Sequence, residues 1–337
     1  MEQIADTMTS RRMQNRMGKK IEKKQGQKNE HSFLQDLKYD LKHHRALLVM
    51  NIPTILFFIV FAYIPMIGIV IAFQDFNPVD GILKSKFVGF DNFKFFLGSD
   101  ACTRVVFNTL FLNVLFILTG TFMSILIAVM LSEVAGKFFK KVSQSIVILP
   151  HFISWTVVAL MLEALISTNT GLFNKLLMEM GLQQISFYSN ASVWPSLMTF
   201  LKIWQGAGYG SIVYLAAITG IDQEIYEAAK IDGATRSQCI THITLPLLKP
   251  TIILLLIMSV GGIFNGDFGM IYALVGSNSL LYPTTDVINT YVYRQLMELG
   301  DMGMSAAVGL LQSVLGFIMV YITNLIARKV YPDGAIF

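Results

Sequence analysis

Long apolar runs alternate with short polar connectors along most of this chain. Six stretches, 47–73, 105–131, 143–166, 193–219, 250–275 and 304–327, each approach or exceed the roughly 20 mostly apolar residues that a helix needs to cross a bilayer. The first carries no charge, and its Pro53 and Pro65 are expected to kink a helix that neighbouring helices can accommodate. None of the runs alternates polar and apolar residues with the period of two that a membrane β-barrel requires. The pattern therefore predicts an all-α integral membrane protein with six transmembrane helices.

Composition agrees. Only 14% of the 337 residues are charged and 54% are hydrophobic, where a soluble domain is about one-quarter charged. Residues 1–46 are the exception, a basic segment holding 11 of the 26 Lys and Arg, which separates a tail from the membrane domain at 47–330. No short apolar core with a small-residue cleavage site precedes the first span, so the tail reads as cytoplasmic and solvated. Its second reading is a polybasic segment resting on anionic membrane lipid. The side of the membrane that bears the tail also bears Lys137, Lys140, Lys141, Lys230, Arg236, Lys249, Arg328 and Lys329; the opposite loops carry only Lys84, Lys86, Lys94, Arg104, Lys175 and Arg294. The excess places both termini in the cytoplasm of a bacterial cell membrane. Cys102 and Cys239 then lie on opposite sides and cannot pair within one chain. Neither they nor the five histidines show a metal-ligand spacing. No G-x-x-x-x-G-K-[ST] phosphate loop occurs, so ATP has no usual cradle here.

The connector between spans 4 and 5, residues 222–249, is DQEIYEAAKIDGATRSQCITHITLPLLK. It predicts a helix, a break and a second helix running into Pro246 and Pro250. Ile225, Ala228, Ala229 and Asp232 fall on one small, flat face. Asp222, Glu224 and Glu227 sit where a helix dipole favours acid, and Gly233 suits the left-handed residue that ends a helix. A helix lying on lipid would instead carry Lys or Arg opposite large apolar residues, so this one is shaped for a protein groove.

Glu227-Ala228-Ala229, Asp232-Gly233-Ala234, then Ile243, Leu245-Pro246 and Pro250 together resemble the E-A-A signature of binding-protein-dependent ABC importer permeases. The segments 61–78 and 81–96 and the run Tyr214–Ile218 resemble the carbohydrate-uptake class, in particular lipoprotein-linked polysaccharide permeases, and the likeness covers about residues 45–330. Ile240 and Ser237 depart from residues common in that family. The large external domain of maltose-type permeases has no room here, because the longest external loop is 74–104. The resemblance implies the type I importer fold with a cytoplasmic coupling helix. Glu227, Ala228, Ala229, Asp232, Gly233 and Ala234 would dock on a separate ATPase. The implied partners are a second homologous permease, two ATPase copies that hold ATP and Mg, and an extracellular substrate-binding lipoprotein; no nucleic acid is involved. The chain is then a transporter subunit rather than an enzyme, with no cofactor of its own.

Sugars are held by aromatic faces, amides and carboxylates. Spans 4 and 5 carry such residues at depth, Trp204 and Tyr272 among them, and the candidates for a substrate path are Lys202, Gln205, Tyr209, Phe264, Asn265 and Asp267. A charge within a span costs roughly 2.5–3.5 kcal/mol, so Lys202 and Asp267 need water or a partner. They either line a polar cavity or mark the outer ends of their helices. An oligosaccharide or related glycan is the expected cargo. A peptide or phosphate ester moved by the same machinery is the alternative, and an ion-coupled transporter using Asp267 is a more distant one.

Overall fold

The computed structural model describes residues 45–330, so all but the end of the tail expected at 1–46 lies outside the described residues. Helices make up nearly all of the regular structure. The only sheet among the described residues is a ribbon of β1 (Gln74–Asp75) antiparallel to β2 (Lys86–Phe87). The chain divides at Ile67–Gly68 into two compact units.

In the first unit, α1 (Arg45–Phe58) passes into a π-turn at Ile59–Tyr63 and then into tighter 3-10 winding from Ile64. Pro65 accounts for the change, since it offers no N–H to the carbonyl four residues back and its ring crowds that turn. Pro53 lies inside α1 without ending it. Every side chain described from Val49 to Ile67 is exposed, which gives this stretch the apolar exterior of a helix that meets lipid or another apolar surface.

The second unit begins with the ribbon and α2 (Asp91–Leu97), followed by the long α3 (Asp100–Glu133), whose first turn is capped by Ser99. A turn at Gly136 leads to α4 (Lys137–Ile148), α5 (Trp155–Ile166) and α6 (Leu172–Glu179). Next come α7 (Trp194–Thr219), α8 (Gln223–Ile231), α9 (Arg236–Cys239) and α10 (Leu245–Gly261). Helices α11 (Phe268–Val275), α12 (Ile288–Met297) and α13 (Met302–Val330) complete the unit.

Helices α3 and α7 share the most extensive helix pairing. Two glycine contacts set how close α7 comes. A Cβ on Gly208 would stand 2.0 Å from the Val147 carbonyl oxygen, and one on Gly210 would stand 2.6 Å from Ser124 Oγ; Gly206 faces open space. The main core gathers Leu112 and Phe116 of α3, Val158 and Leu162 of α5, Trp194 and Met198 of α7 and Met270 of α11.

Four helices are long and apolar enough to cross a membrane unaided: Val49–Phe73, Asp100–Glu133, Arg236–Gly261 and Met302–Lys329. The pair Lys137–Phe152 and Trp155–Ile166 makes a fifth if it is one span. Helix α7 fills the remaining predicted stretch. Its 26 residues reach roughly 39 Å, but Lys202, Gln205 and the glycines dilute its apolar character.

Two predicted spans are not continuous helices. The stretch 143–166 bends by 91°. Pro150 opens a 3-10 turn there, Ser154 starts a new helix by accepting the Val157 N–H, and Gln205 Nε2 donates to the freed Ile153 carbonyl at 2.8 Å. The stretch 250–275 breaks after Gly261 and resumes at Phe268, where Asp267 caps α11 through the Met270 N–H. Gln312 of α13 secures this break, donating to the Phe264 carbonyl at 2.8 Å and to Asn289 Oδ1 at 2.9 Å.

The loops collect at two ends. Ser132, Glu133, Lys140, Thr219, Tyr226 and Arg236 border one depression of about 450 Å³, which brings the 134–136 turn and the 222–249 loop to the same end. At the other end Asn278 donates to the Tyr188 carbonyl, and Asn108 to the carbonyls of Tyr282, Pro283 and Asp286.

Candidate functional sites: an exposed loop helix and a polar cavity

The 222–249 loop folds into the predicted helix, break and second helix. Asp222 caps α8 by accepting the Glu224 N–H at 3.0 Å. The far end closes with the Ala234 N–H on the Ala229 carbonyl (2.9 Å) and the Gly233 N–H on the Lys230 carbonyl (3.1 Å). That pairing is a Schellman motif, and it requires the left-handed residue in between. Gly233 supplies it with φ +82°.

Thr235 and Gln238 then form a reciprocal capping box, and the second helix runs without interruption from Arg236 to Gly261. Its first turns are widened into a π-turn at Ile240–Thr244. Tyr226 OH meets the buried Thr244 Oγ1 at 2.9 Å, tying α8 to the foot of that helix. Glu227, Ala228, Ile231, Asp232 and Gly233 are exposed, Ile231 by 86%; Ala229 and Ala234 are half-buried and turn partly toward the bundle. Cys239 is buried beneath the loop.

The candidates in spans 4 and 5 separate into two groups. Lys202, Asn265 and Asp267 line one cavity of about 610 Å³, together with Asn113, Thr121 and Ser259. Lys202 Nζ pairs with Asp267 Oδ2 at 2.5 Å and stands 5.7 Å from the centre of the Trp155 ring. Gln205 was expected to face this cavity, but it is buried and spends its amide on the Ile153 carbonyl. Phe264 is likewise a core residue, packed among Phe96, Val105, Ile288 and Met304. Tyr209 is exposed and stacks on His151, with ring centres 4.1 Å apart and planes within 7°. Neither aromatic ring borders the cavity.

Among the described residues, no three His, Cys, Asp or Glu side chains come together as a metal site.

The family described as binding-protein-dependent transport system inner membrane component matches residues 120–331, a segment that contains the loop and most of the cavity lining, Lys202, Asn265 and Asp267 included. The chain belongs to this family. The permease is 40% identical over 294 residues to Protein LplB of Bacillus subtilis, covering 87% of this chain and 92% of that protein. It is 37% identical to the polygalacturonan/rhamnogalacturonan transport system permease protein YteP of the same organism, covering 87% and 91%. Among solved structures, a chain of a bacterial ABC transporter involved in the import of the acidic polysaccharide alginate superposes with a TM-score of 0.78 at 38% identity, covering 88% of this chain and 99% of that one. A second structure shows a bacterial alginate ABC transporter in complex with an alginate pentasaccharide-bound periplasmic protein, with a TM-score of 0.77 at 37% identity, covering 88% and 98%. The protein is thus a multi-pass cell-membrane permease of the ABC type I importer fold, a transporter component and not an enzyme.

One structural feature of the permease escaped the sequence reading. Asp286, with no exposed side-chain surface, receives Arg294 Nη1 (3.1 Å) and Nη2 (2.9 Å), Arg104 Nη2 (3.3 Å) and Thr290 Oγ1 (3.0 Å). Burial alone would lower the Arg294 pKa, but the hydrogen bonds and charge of Asp286 outweigh it and raise the group above its ordinary value. This cluster joins α3, the 282–287 segment and α12. In the sequence these residues are only polar members of outer loops.

Proposed function

We propose that this permease imports an oligosaccharide or related glycan delivered by an extracellular substrate-binding lipoprotein, and that a separate cytoplasmic ATPase drives it through α8. The observation that carries the reading is the form of α8. It is an exposed helix closed by a Schellman turn, offering Ile225, Ala228 and Ile231 to solvent beside Glu227 and Asp232. An exposed Ile231 beside acidic side chains suits a protein groove better than a lipid surface. The positive-inside distribution puts this loop, the tail and the C-terminus in the cytoplasm. ATP and Mg would be bound by two copies of the ATPase, and a second homologous permease would complete the pathway.

The printed descriptions of YteP and of the alginate transporters support a saccharide cargo, and the alginate complex supports an external binding protein. An ion-coupled mechanism is disfavoured because Lys202 already neutralises Asp267.

The test uses Gly233→Val and Ala228→Trp in the complex reconstituted with its partners. Valine at φ +82° is strained by about 1–2 kcal/mol, which opens the Schellman turn. Tryptophan at 228 blocks approach while leaving the backbone alone. Both variants are expected to insert normally yet lose ATPase co-purification, stimulated hydrolysis and uptake together. Normal association, hydrolysis and uptake in both would remove α8 as the coupling element.

A further inference from the structure

Lys202 and Asp267 are the only ionised side chains lining the 610 Å³ cavity among the described residues, and their surroundings are unequal. Asp267 is provided for twice. Its Oδ2 meets Lys202, while its Oδ1 accepts the Met270 N–H at 3.0 Å at the N-terminus of α11, where a helix favours negative charge. Without Lys202 the carboxylate would keep that cap.

Lys202 makes a single hydrogen bond through a flexible four-carbon stem, with side-chain exposure of 35% against 27% for Asp267. The Trp155 face at 5.7 Å offers the ammonium a second resting place. An ion pair this open to water is weak, so another carboxylate can take the place of Asp267 without stranding either charge. The rest of the lining suits the rest of a sugar. Asn113, Asn265, Thr121 and Ser259 supply uncharged groups for hydroxyls, and the cavity is within the usual size of small-ligand sites, roughly 300–1,000 Å³.

We propose that Lys202 is the specificity residue for an acidic saccharide: its ammonium leaves Asp267 for a uronate carboxylate during passage and returns to Asp267 once the sugar has moved on. Asp267 is a holding residue that keeps the cation in place between cargoes. Shallow exchange between two carboxylates lets the cation both capture and release its cargo. The proposal rests on the saccharide reading above.

The experiment measures uptake into proteoliposomes holding the complete complex, with the binding protein saturated by galacturonate trimer or by its carboxyl-reduced neutral counterpart. Two variants are compared, K202Q and D267N; asparagine is as good a helix cap as aspartate, so D267N removes the charge and keeps α11 closed. The expected result is acidic-trimer uptake at least fivefold lower in K202Q than in D267N, with the wild-type complex moving the acidic trimer faster than the neutral one. A smaller ratio means a merely structural ion pair, which both changes break alike, and overturns the proposal. The wild-type comparison stands even if K202Q fails to assemble. Import of neutral but not acidic saccharide by the wild-type complex overturns the proposal and leaves the saccharide reading intact; import of no saccharide removes both.

Discussion

Replacing Asp286 with alanine is expected to be among the most damaging single changes outside the transport path. Its carboxylate is fully buried and accepts three guanidinium contacts and one hydroxyl contact between 2.9 and 3.3 Å. Alanine removes the acceptor and leaves Arg294, whose side chain is only 15% exposed, without a counter-ion. Breaking a buried pair from one side costs about 3–5 kcal/mol, mostly for the charge left behind. Arg294→Ala removes the better-buried of the two cations and is expected at the lower end of that range. Arg104→Ala removes a single contact at 3.3 Å from a side chain 36% exposed, which solvent screening limits to about 1 kcal/mol. The order of damage is therefore D286A, then R294A, then R104A. Thermal unfolding of the purified protein in detergent, followed by loss of its monodisperse peak in size-exclusion chromatography, gives that order directly. A D286A protein that melts with wild type, or an R104A protein that melts below R294A, would refute this account of the cluster.

Gly208→Ala places a methyl group 2.0 Å from the Val147 carbonyl oxygen, where only backbone movement can make room; a loss of about 1–3 kcal/mol is expected. Gly206→Ala, two residues away in open space, is expected to be neutral or slightly stabilising through better helix propensity, and equal melting of the two variants would contradict the close approach of α4 and α7. Ile231→Cys, at a position 86% exposed, is expected to react rapidly with a maleimide on the isolated permease and slowly once the ATPase is bound. Equal rates in both states would place the docking face elsewhere on the loop. The native Cys239 does not interfere with this measurement, because it is buried.

How far the sequence carries depends on how local each signal is. The apolar runs and the 222–249 loop were legible because their causes lie within a few residues: about 20 apolar side chains for a span, and Gly233 for a left-handed turn. The bend at 150–154 also had local signs, Pro150 and Ser154, which averaging over a 24-residue window hides. The long-range partnerships had none. Lys202 and Asp267 were recognisable as charges in need of a setting, but a separation of 65 positions gave no reason to pair them. Asp286 and Arg104 lie 182 positions apart, and each looks like an ordinary loop residue until the fold buries the first. Gln205 illustrates the opposite error. Its depth and polarity suggested a cavity, yet an amide at depth equally well satisfies a backbone carbonyl that a broken helix has released, and Ile153 presents one.

One continuous helix runs from the exposed loop to the cavity. The helix from Arg236 to Gly261 meets Tyr226 at Thr244, in its loop-side half, and ends six residues before Asp267; its 26 residues span roughly 39 Å. Its two ends are built differently from its middle. The loop end carries the π-turn at Ile240–Thr244, which fixes the buried Thr244 hydroxyl beneath α8. The cavity end dissolves into the Gly262–Asp267 break, whose geometry is held by Gln312 from α13 and by the cap on α11 rather than by the helix itself. On the proposed reading, a displacement of α8 would reach the helix through this side-chain contact. At the far end it arrives beside a segment whose backbone is free of helical constraint. Movement there would shift Asn265 and Asp267 relative to Lys202 on α7, whose approach to α4 is set by the backbone contact at Gly208. On the proposed reading, motion of α8 reaches the cavity as a change in the separation of the two charges, which is the variable that decides whether Lys202 holds Asp267 or the cargo.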